Sequence, residues 1–324
     1  MIFVTLVLLK RKIPMQSVQS YTVKTVINIF RKSLFVHKTE ANTIRVGFER
    51  VANLTKFPRF VKKEEVKYAG CDAAWFTPDG YGKSKTILYL HGGGYVMGSY
   101  NTHRALIGRI ARASGYKALA INYRKAPEHA YPLALQDALA TYKQMVADGY
   151  ENIFIMGDSA GGGLTLALLQ LIRKYRLQKA AGVCLLSPWT DLTLSGDSIK
   201  TKKDKDPLIT PHLLEIFSKR YYADADPTNP LLSPHFADVK GFPPTLIQVG
   251  GNEVLFDDSI RMALKLNKAG VKVTLETYDN MMHVWQFFGG IVPEANTAID
   301  KIGEFVKGIR VSTKADKLEA MEVY

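Results

Sequence analysis

Gly157-Asp158-Ser159-Ala160-Gly161 closes a short apolar run, Ile153–Met156, and opens a segment of helical periodicity. A G-x-S-x-G sequence in that setting predicts a nucleophile elbow, a tight strand-to-helix turn that lifts the serine hydroxyl above a sheet edge. The glycines two residues either side let neighbouring backbone pass where a Cβ would clash. The helix that follows offers an N-terminus whose dipole favours negative charge. The competing readings are a glycine-rich packing turn and a phosphate cradle, and the lysine of a P-loop is missing.

About 65 residues upstream, His91-Gly92-Gly93-Gly94 follows another apolar run, Thr86–Leu90, and brings flexible backbone N–H groups to the same sheet edge. Acyl transfer develops negative charge on a carbonyl oxygen. N–H groups aimed from such a loop, together with that of Ala160 after the serine, stabilise that charge. A serine nucleophile also needs a base and an acid, and in α/β-hydrolase sheets they follow it in the order acid, then histidine. Of seven histidines only His283 lies beyond the last predicted strand; His37, His91, His103 and His129 precede the serine, and His212 and His235 fall in an insertion. The acid belongs on the turn after Thr245–Val249, where Gly250-Gly251-Asn252-Glu253 makes Glu253 the first candidate. Asp257 is the alternative, although Asp257 and Asp258 read as caps of the next helix. Met97, Trp189, Met281, Met282 and Trp285 are candidate pocket walls, of residue types that also fill cores.

The elements that must position these groups are legible as apolar runs alternating with helical stretches. Strands are expected at Thr86–Leu90, Lys117–Tyr123, Ile153–Met156, Ala181–Leu186, Thr245–Val249 and Val271–Tyr278, with helices near 102–114, 132–148, 160–175, 257–269 and 294–309. Gly115, Gly149 and Gly270 stand where helices end. Such alternation predicts a mostly parallel sheet covered on both faces. A hairpin is expected around Tyr68–Phe76, turning near Pro78-Asp79-Gly80. Ahead of it two amphipathic helices are predicted, with Val23, Val26, Ile27, Phe30 and Leu34 on one face and Ile44, Phe48 and Val51 on the other's. Nearly sixty residues between Leu186 and Thr245 form an insertion with a helical piece at 211–222, and Lys202–Asp206 and Asp224–Pro230 read as exposed loops.

At 324 residues with 47% hydrophobic and 23% charged residues, the chain is globular, with room for one large α/β domain and an insertion. Fourteen of its Lys and Arg against four Glu lie in residues 1–68, so +10 of the formal +13 is an N-terminal property. That surplus is spread through amphipathic segments, which argues for a solvated face over a nucleic-acid reader and leaves contact with an anionic membrane as the lesser option. Cys71 and Cys184 are too few for a disulfide framework, lack zinc-ligand spacing and read as buried small hydrophobes. No cofactor motif is present. Ile2–Leu9 is too short to span a bilayer and carries its charge, Lys10-Arg11-Lys12, after the apolar run, so a soluble cytoplasmic protein is expected, with Met15 as an alternative start.

Taken together, the HGGG and GDSAGG motifs, Tyr123-Arg124-Lys125-Ala126-Pro127-Glu128-His129 and Met282-His283-Val284-Trp285 resemble the bacterial hormone-sensitive-lipase family of α/β-hydrolase carboxylesterases over about residues 65–310. The resemblance implies a catalytic domain of eight strands over 61–187 and 241–312, a cap built from residues 1–60 and 188–240, and a tail at 313–324. It implies oxyanion donors at Gly93, Gly94 and Ala160, and esters of short to medium acyl chains hydrolysed through an acyl-enzyme. The family usually has Asp where Glu253 stands. Ser187-Pro188-Trp189-Thr190-Asp191 also resembles lactone and acetyl hydrolases of the group, the alternative substrates. Some plant hormone receptors resemble the same fold with an incomplete triad, and the complete set here argues for an enzyme. Dimers are common among such proteins, so a homodimer is an option, but no residue marks an interface.

Overall fold

The computed structural model describes residues 16–34, 40–53 and 55–310. The apolar start, Met15 and the 313–324 tail lie outside the described residues, as do the side chains of Phe30, Leu34 and Val51. In chain order the elements are α1 (Val18–Leu34), α2 (Ala41–Asn53), β1 (Val61–Tyr68), β2 (Cys71–Pro78), β3 (Gly82–Leu90), α3 (Arg104–Ser114), β4 (Tyr116–Ile121) and α4 (Leu133–Ala147). There follow β5 (Ile153–Asp158), α5 (Ala160–Lys174), β6 (Gly182–Leu186), α6 (Ser198–Thr201), α7 (Pro211–Tyr222), β7 (Thr245–Gly250), α8 (Phe256–Lys268), β8 (Val273–Tyr278) and α9 (Pro293–Gly308).

The eight strands form one sheet in the order β1-β2-β4-β3-β5-β6-β7-β8. β3 through β8 run parallel, and β1 and β2 join antiparallel at one edge. Because helices cover both faces, the central strands are continuous apolar runs, and successive residues enter opposite cores. Leu88 and Leu90 pack into one core with Leu164 and Leu168 of α5; Ile87 and Tyr89 pack into the other with Ile110 of α3 and Ile302 of α9. Gly115, Gly149 and Gly270 take positive φ just past α3, α4 and α8, as helix-terminating glycines do. Both cysteines are buried.

Three expectations are corrected. The hairpin turns at Ala69-Gly70, both at positive φ, and pairs β1 with β2; Pro78-Asp79-Gly80 instead leads from β2 into β3. β1, with the sequence Val-Lys-Lys-Glu-Glu-Val-Lys-Tyr, is a charged edge strand without the apolar alternation that advertises a strand, and its charges blunt the open edge. Asp257 and Asp258 do not cap α8, whose N-cap is Leu255; their carboxylates reach across to the 190–198 segment. Val26 is 45% exposed, while Val23 and Ile27 of the same helix pack inward.

α1 and α2 are fastened to the sheet domain by polar contacts. Ser17 donates from its N and Oγ to Glu294 at the start of α9, both at 2.7 Å. Arg45 of α2 donates to the carbonyls of Val96 and Ala126, each at 2.7 Å, and forms a two-pronged pair with Glu128.

Candidate active site

Ser159 sits between β5 and α5 with φ +51° and ψ −122°, a conformation costing about 1–3 kcal/mol that surrounding structure must hold. It is held on both sides: its N–H donates to Leu186 O at 2.9 Å, and its carbonyl accepts from Trp189 N at 2.9 Å and Gly162 N at 3.0 Å. The flanking glycines are obligatory. A Cβ on Gly157 would lie 2.3 Å from Gly161 O, and one on Gly161 would lie 2.0 Å from Leu90 O. The elbow thus rests directly on the end of β3.

The loop after β3 is tied to the elbow by Asp158. Its Oδ1 accepts from Tyr89 Oη at 2.8 Å and Gly92 N at 3.1 Å, and its Oδ2 lies 3.3 Å from His103 Nε2. Burial opposes its charge, but His103, Tyr89 and Gly92 together hold its carboxyl below the usual aspartate value. His91 stacks on Tyr123 with ring centroids 4.2 Å apart, and Tyr123 Oη donates to the His91 carbonyl at 2.7 Å. Burial pushes the His91 imidazole well below the ordinary histidine value, which disfavours its charged form. Gly93 and Gly94 both adopt positive φ, and a Cβ on Gly94 would strike the Phe217 ring at 2.1 Å.

β7 and β8 pair in parallel with Gly250 opposite Tyr278, which sets the turns after the two strands side by side. On these turns Glu253 Oε2 lies 2.6 Å from His283 Nδ1, with Glu253 fully buried and His283 4% exposed. Glu253 Oε1 accepts from Gly250 N at 2.5 Å and Ser187 Oγ at 2.9 Å, so its second oxygen is also occupied. Burial disfavours the His283 imidazolium, but the hydrogen bond and charge of Glu253, with Asp206 and Asp158 beyond, outweigh it and raise its pKa above the ordinary value. Asp257 is directed elsewhere, accepting from Ser198 N at 2.7 Å.

Ser159 and His283 line one cavity of about 350 Å³. Gly93, Gly94, Met97 and Trp189 border it as well, as do Ile27 and Ile44 from the two N-terminal helices and Leu213 and Phe217 from α7. Its wall is overwhelmingly apolar. Met282 and Trp285, expected at the pocket, do not line it, and neither does Met281. These three belong to a separate core with Tyr278 and Val292, because the turn after β8 that points His283 and Val284 toward the cavity sends Met281, Met282 and Trp285 beneath α1.

The chain matches the α/β-hydrolase family model over residues 87–287. A curated acetyl-hydrolase of Streptomyces hygroscopicus is 40% identical over 242 residues, covering 73% of this chain and 80% of that protein. A crystal structure of an esterase/lipase from an uncultured bacterium superposes with a TM-score of 0.85 at 42% identity, covering 90% of this chain and 98% of the other. An esterase described as from the bacterial hormone-sensitive lipase family gives a TM-score of 0.87 at 36% identity, covering 91% and 99%. The chain belongs to the bacterial hormone-sensitive-lipase family of α/β hydrolases. That membership sets the hydrolase among ester-hydrolysing enzymes and apart from receptors on the same fold.

Three polar residues of the hydrolase's site were not singled out from its sequence. Asp158 lies within the GDSAG motif, where attention falls on the serine. Ser187 directly follows β6 and bridges Glu253 Oε1 and the Val284 amide, accepting from the latter at 3.2 Å. Asp206 belongs to the Lys202–Asp206 stretch expected as an exposed loop, yet it is fully buried. It accepts from Leu208 N, Ile209 N and Val254 N, so backbone amides draw a carboxylate inward that composition alone assigns to solvent. Burial pushes its pKa up.

Proposed function

We propose that the protein is a serine carboxylesterase acting on short- to medium-chain esters, with Ser159 as nucleophile, His283 as general base and Glu253 as the acid that orients it. The observation carrying this reading is the buried 2.6 Å contact between Glu253 and His283 beside a cavity that Ser159 also lines. Ser159 attacks the ester carbonyl as its proton passes to His283, and the tetrahedral oxyanion meets the amides of Gly93, Gly94 and Ala160. Among the described residues the amides of Gly93 and Gly94 have no acceptor, which leaves them for that charge. His283 returns the proton to the departing alkoxide, and water, deprotonated by the same imidazole, then releases the acid and regenerates Ser159. Glu253 keeps the Nδ1 proton of His283, so that Nε2 faces the chemistry.

α1, α2 and the 188–240 segment form the cap of this reading, and their apolar side chains select the substrate. An acetyl-ester specificity is the second reading, favoured by the name of the Streptomyces relative. The cavity volume and apolar wall favour longer chains over acetyl alone. No helix among the described residues is long and apolar enough to cross a membrane, and we take the protein as cytoplasmic and its basic N-terminal surplus as a solvated surface. A homodimer is compatible with this reading.

The test is turnover of a p-nitrophenyl series from acetate to palmitate by the parent protein, Ser159→Ala and Glu253→Ala, each checked for native melting. A peak at short or medium chains, lost by at least about 10⁴-fold in Ser159→Ala, is expected. Full activity in Glu253→Ala would remove Glu253 from the triad. No turnover of any ester by the parent would sink the esterase reading.

A further inference from the structure

Gly47 stands in the middle of α2, a position where glycine is among the least favourable residues for a helix. At the other glycines inside a helix, away from its last residue, there is a steric reason. A Cβ on Gly161 would meet backbone oxygen at 2.0 Å, and one on Gly303 would meet Ala113 O at 2.5 Å. Among the described residues a Cβ on Gly47 would meet nothing within 4 Å, and the backbone there has no positive φ that would call for glycine. Neither packing nor conformation explains it.

Its location does. Gly47 borders the cavity that holds Ser159 and His283, between Ile44 and Phe48 of the same helix, and Ile27 of α1 lines the same space. Every other side chain that α2 turns toward this space adds volume, and Gly47 subtracts it. We propose that Gly47 is a specificity-determining position: the missing side chain leaves room along α2 for an unbranched apolar arm of the substrate, which makes medium-chain esters the preferred class. This rests on the reading of the cavity as the ester site and deepens it.

Two variants separate the proposal from its alternatives. Gly47→Ala adds a methyl where no described residue stands, and its Tm is expected to rise by about 2 °C through helix propensity. Gly47→Leu keeps a good helix former and fills the space. The ratio of kcat/KM for octanoate over acetate is expected to fall at least about ten-fold in Gly47→Leu, since one or two methylene positions in an apolar pocket carry discrimination of that order. The series is run on both sides of the ester, p-nitrophenyl esters of increasing acyl length and acetates of increasing alcohol length, so that an arm lying in either direction is read.

Binding of octyl acetate and of p-nitrophenyl octanoate to Ser159→Ala, with and without Gly47→Leu, measured by calorimetry, gives a readout independent of turnover. Binding of either ligand that weakens at least ten-fold on adding Gly47→Leu supports the gap, even if the parent hydrolyses no ester, in which case only the esterase reading fails. Equal binding of both ligands by the two proteins, or binding of neither ligand by either, overturns the assignment. So does a lower Tm in Gly47→Ala, which would show that the fold itself requires glycine there.

Discussion

Glu253 reaches His283 with one carboxylate oxygen while the other is held by Gly250 N and Ser187 Oγ, so its position is set from both ends. A histidine held above its ordinary pKa of about 6.5 must lose a proton before it can act as a base. The pH profile of kcat/KM is therefore expected to rise with a midpoint above that value. Glu253→Gln removes the charge that sustains the shift: the midpoint should fall, and the plateau should drop on the order of 10³–10⁴-fold. A midpoint unmoved by the substitution would show that Glu253 does not control the base. The same shift bears on stability. The pairing supports the folded state fully below the unfolded histidine value and fades as pH rises through the raised folded one. Ser187→Ala deletes the hydroxyl that links Glu253 to the Val284 amide, and kcat is expected to fall about ten-fold with KM little changed. Equal kcat in the variant would mean that Gly250 N suffices to hold the acid.

At the scale of elements, α2 contributes to the cavity wall and is held to the sheet domain by Glu49, which accepts from Ser99 Oγ and Asn101 Nδ2, by Asn53, which accepts from Arg104, and by Arg45. Its guanidinium meets Val96 O, Ala126 O and Glu128, and only the pair with Glu128 faces solvent. Arg45→Met is expected to cost about 1–2 kcal/mol, mostly from the two part-buried carbonyl contacts. It should raise KM for medium-chain esters more than it lowers kcat, because the proposed catalytic groups lie on other elements. A KM equal to the parent's would separate α2 from substrate binding. Arg45 holds the Glu128 carboxyl down at about 2. The folded value is depressed, so this contribution is present above the ordinary glutamate pKa and is lost as pH falls through about 2. α2 should accordingly become more accessible to hydrogen exchange in acid before the central strands do.

Across the whole molecule, the sheet carries its two cores on opposite faces, and the site sits where strand ends meet the covering helices. The face opposite α5 depends on close contact between α3 and α9. Gly303 allows it: a Cβ there would lie 2.5 Å from Ala113 O, and this neighbour is backbone that cannot swing away. Gly303→Val is expected to destabilise the fold by about 1–3 kcal/mol, seen as a lower denaturation midpoint, with activity per folded molecule retained. An unchanged midpoint would show that α9 can shift outward without penalty. The cavity, by contrast, is framed by segments distant in sequence, from Ile27 to Phe288, and exists only once all of them are in place.

Local chemistry was readable along the chain. The glycines around Ser159 and after His91, the apolar runs of strands buried on both faces and the helix-ending glycines each follow from backbone sterics and periodicity within a few residues. The serine-acid-histidine order is an expectation carried over from α/β-hydrolase sheets; the structure sets Glu253 beside His283 on the turns after β7 and β8. Glu253 was the first candidate to meet His283 with Asp257 as the alternative, and only the tertiary structure decided between them: Glu253 lies in the turn after β7, while Asp257, in the first turn of α8, is directed to Ser198 N. The same holds for Met282 and Trp285, which flank His283 in sequence but are turned into another core, and for Asp206, whose amide partners come from two separated segments. β1 was missed because an edge strand is held by its partner's hydrogen bonds and can be charged throughout. Periodicity registers which side chains are apolar; direction, partner and enclosure arise from contacts between residues far apart in the chain, and those form only when the sheet and its covering helices assemble.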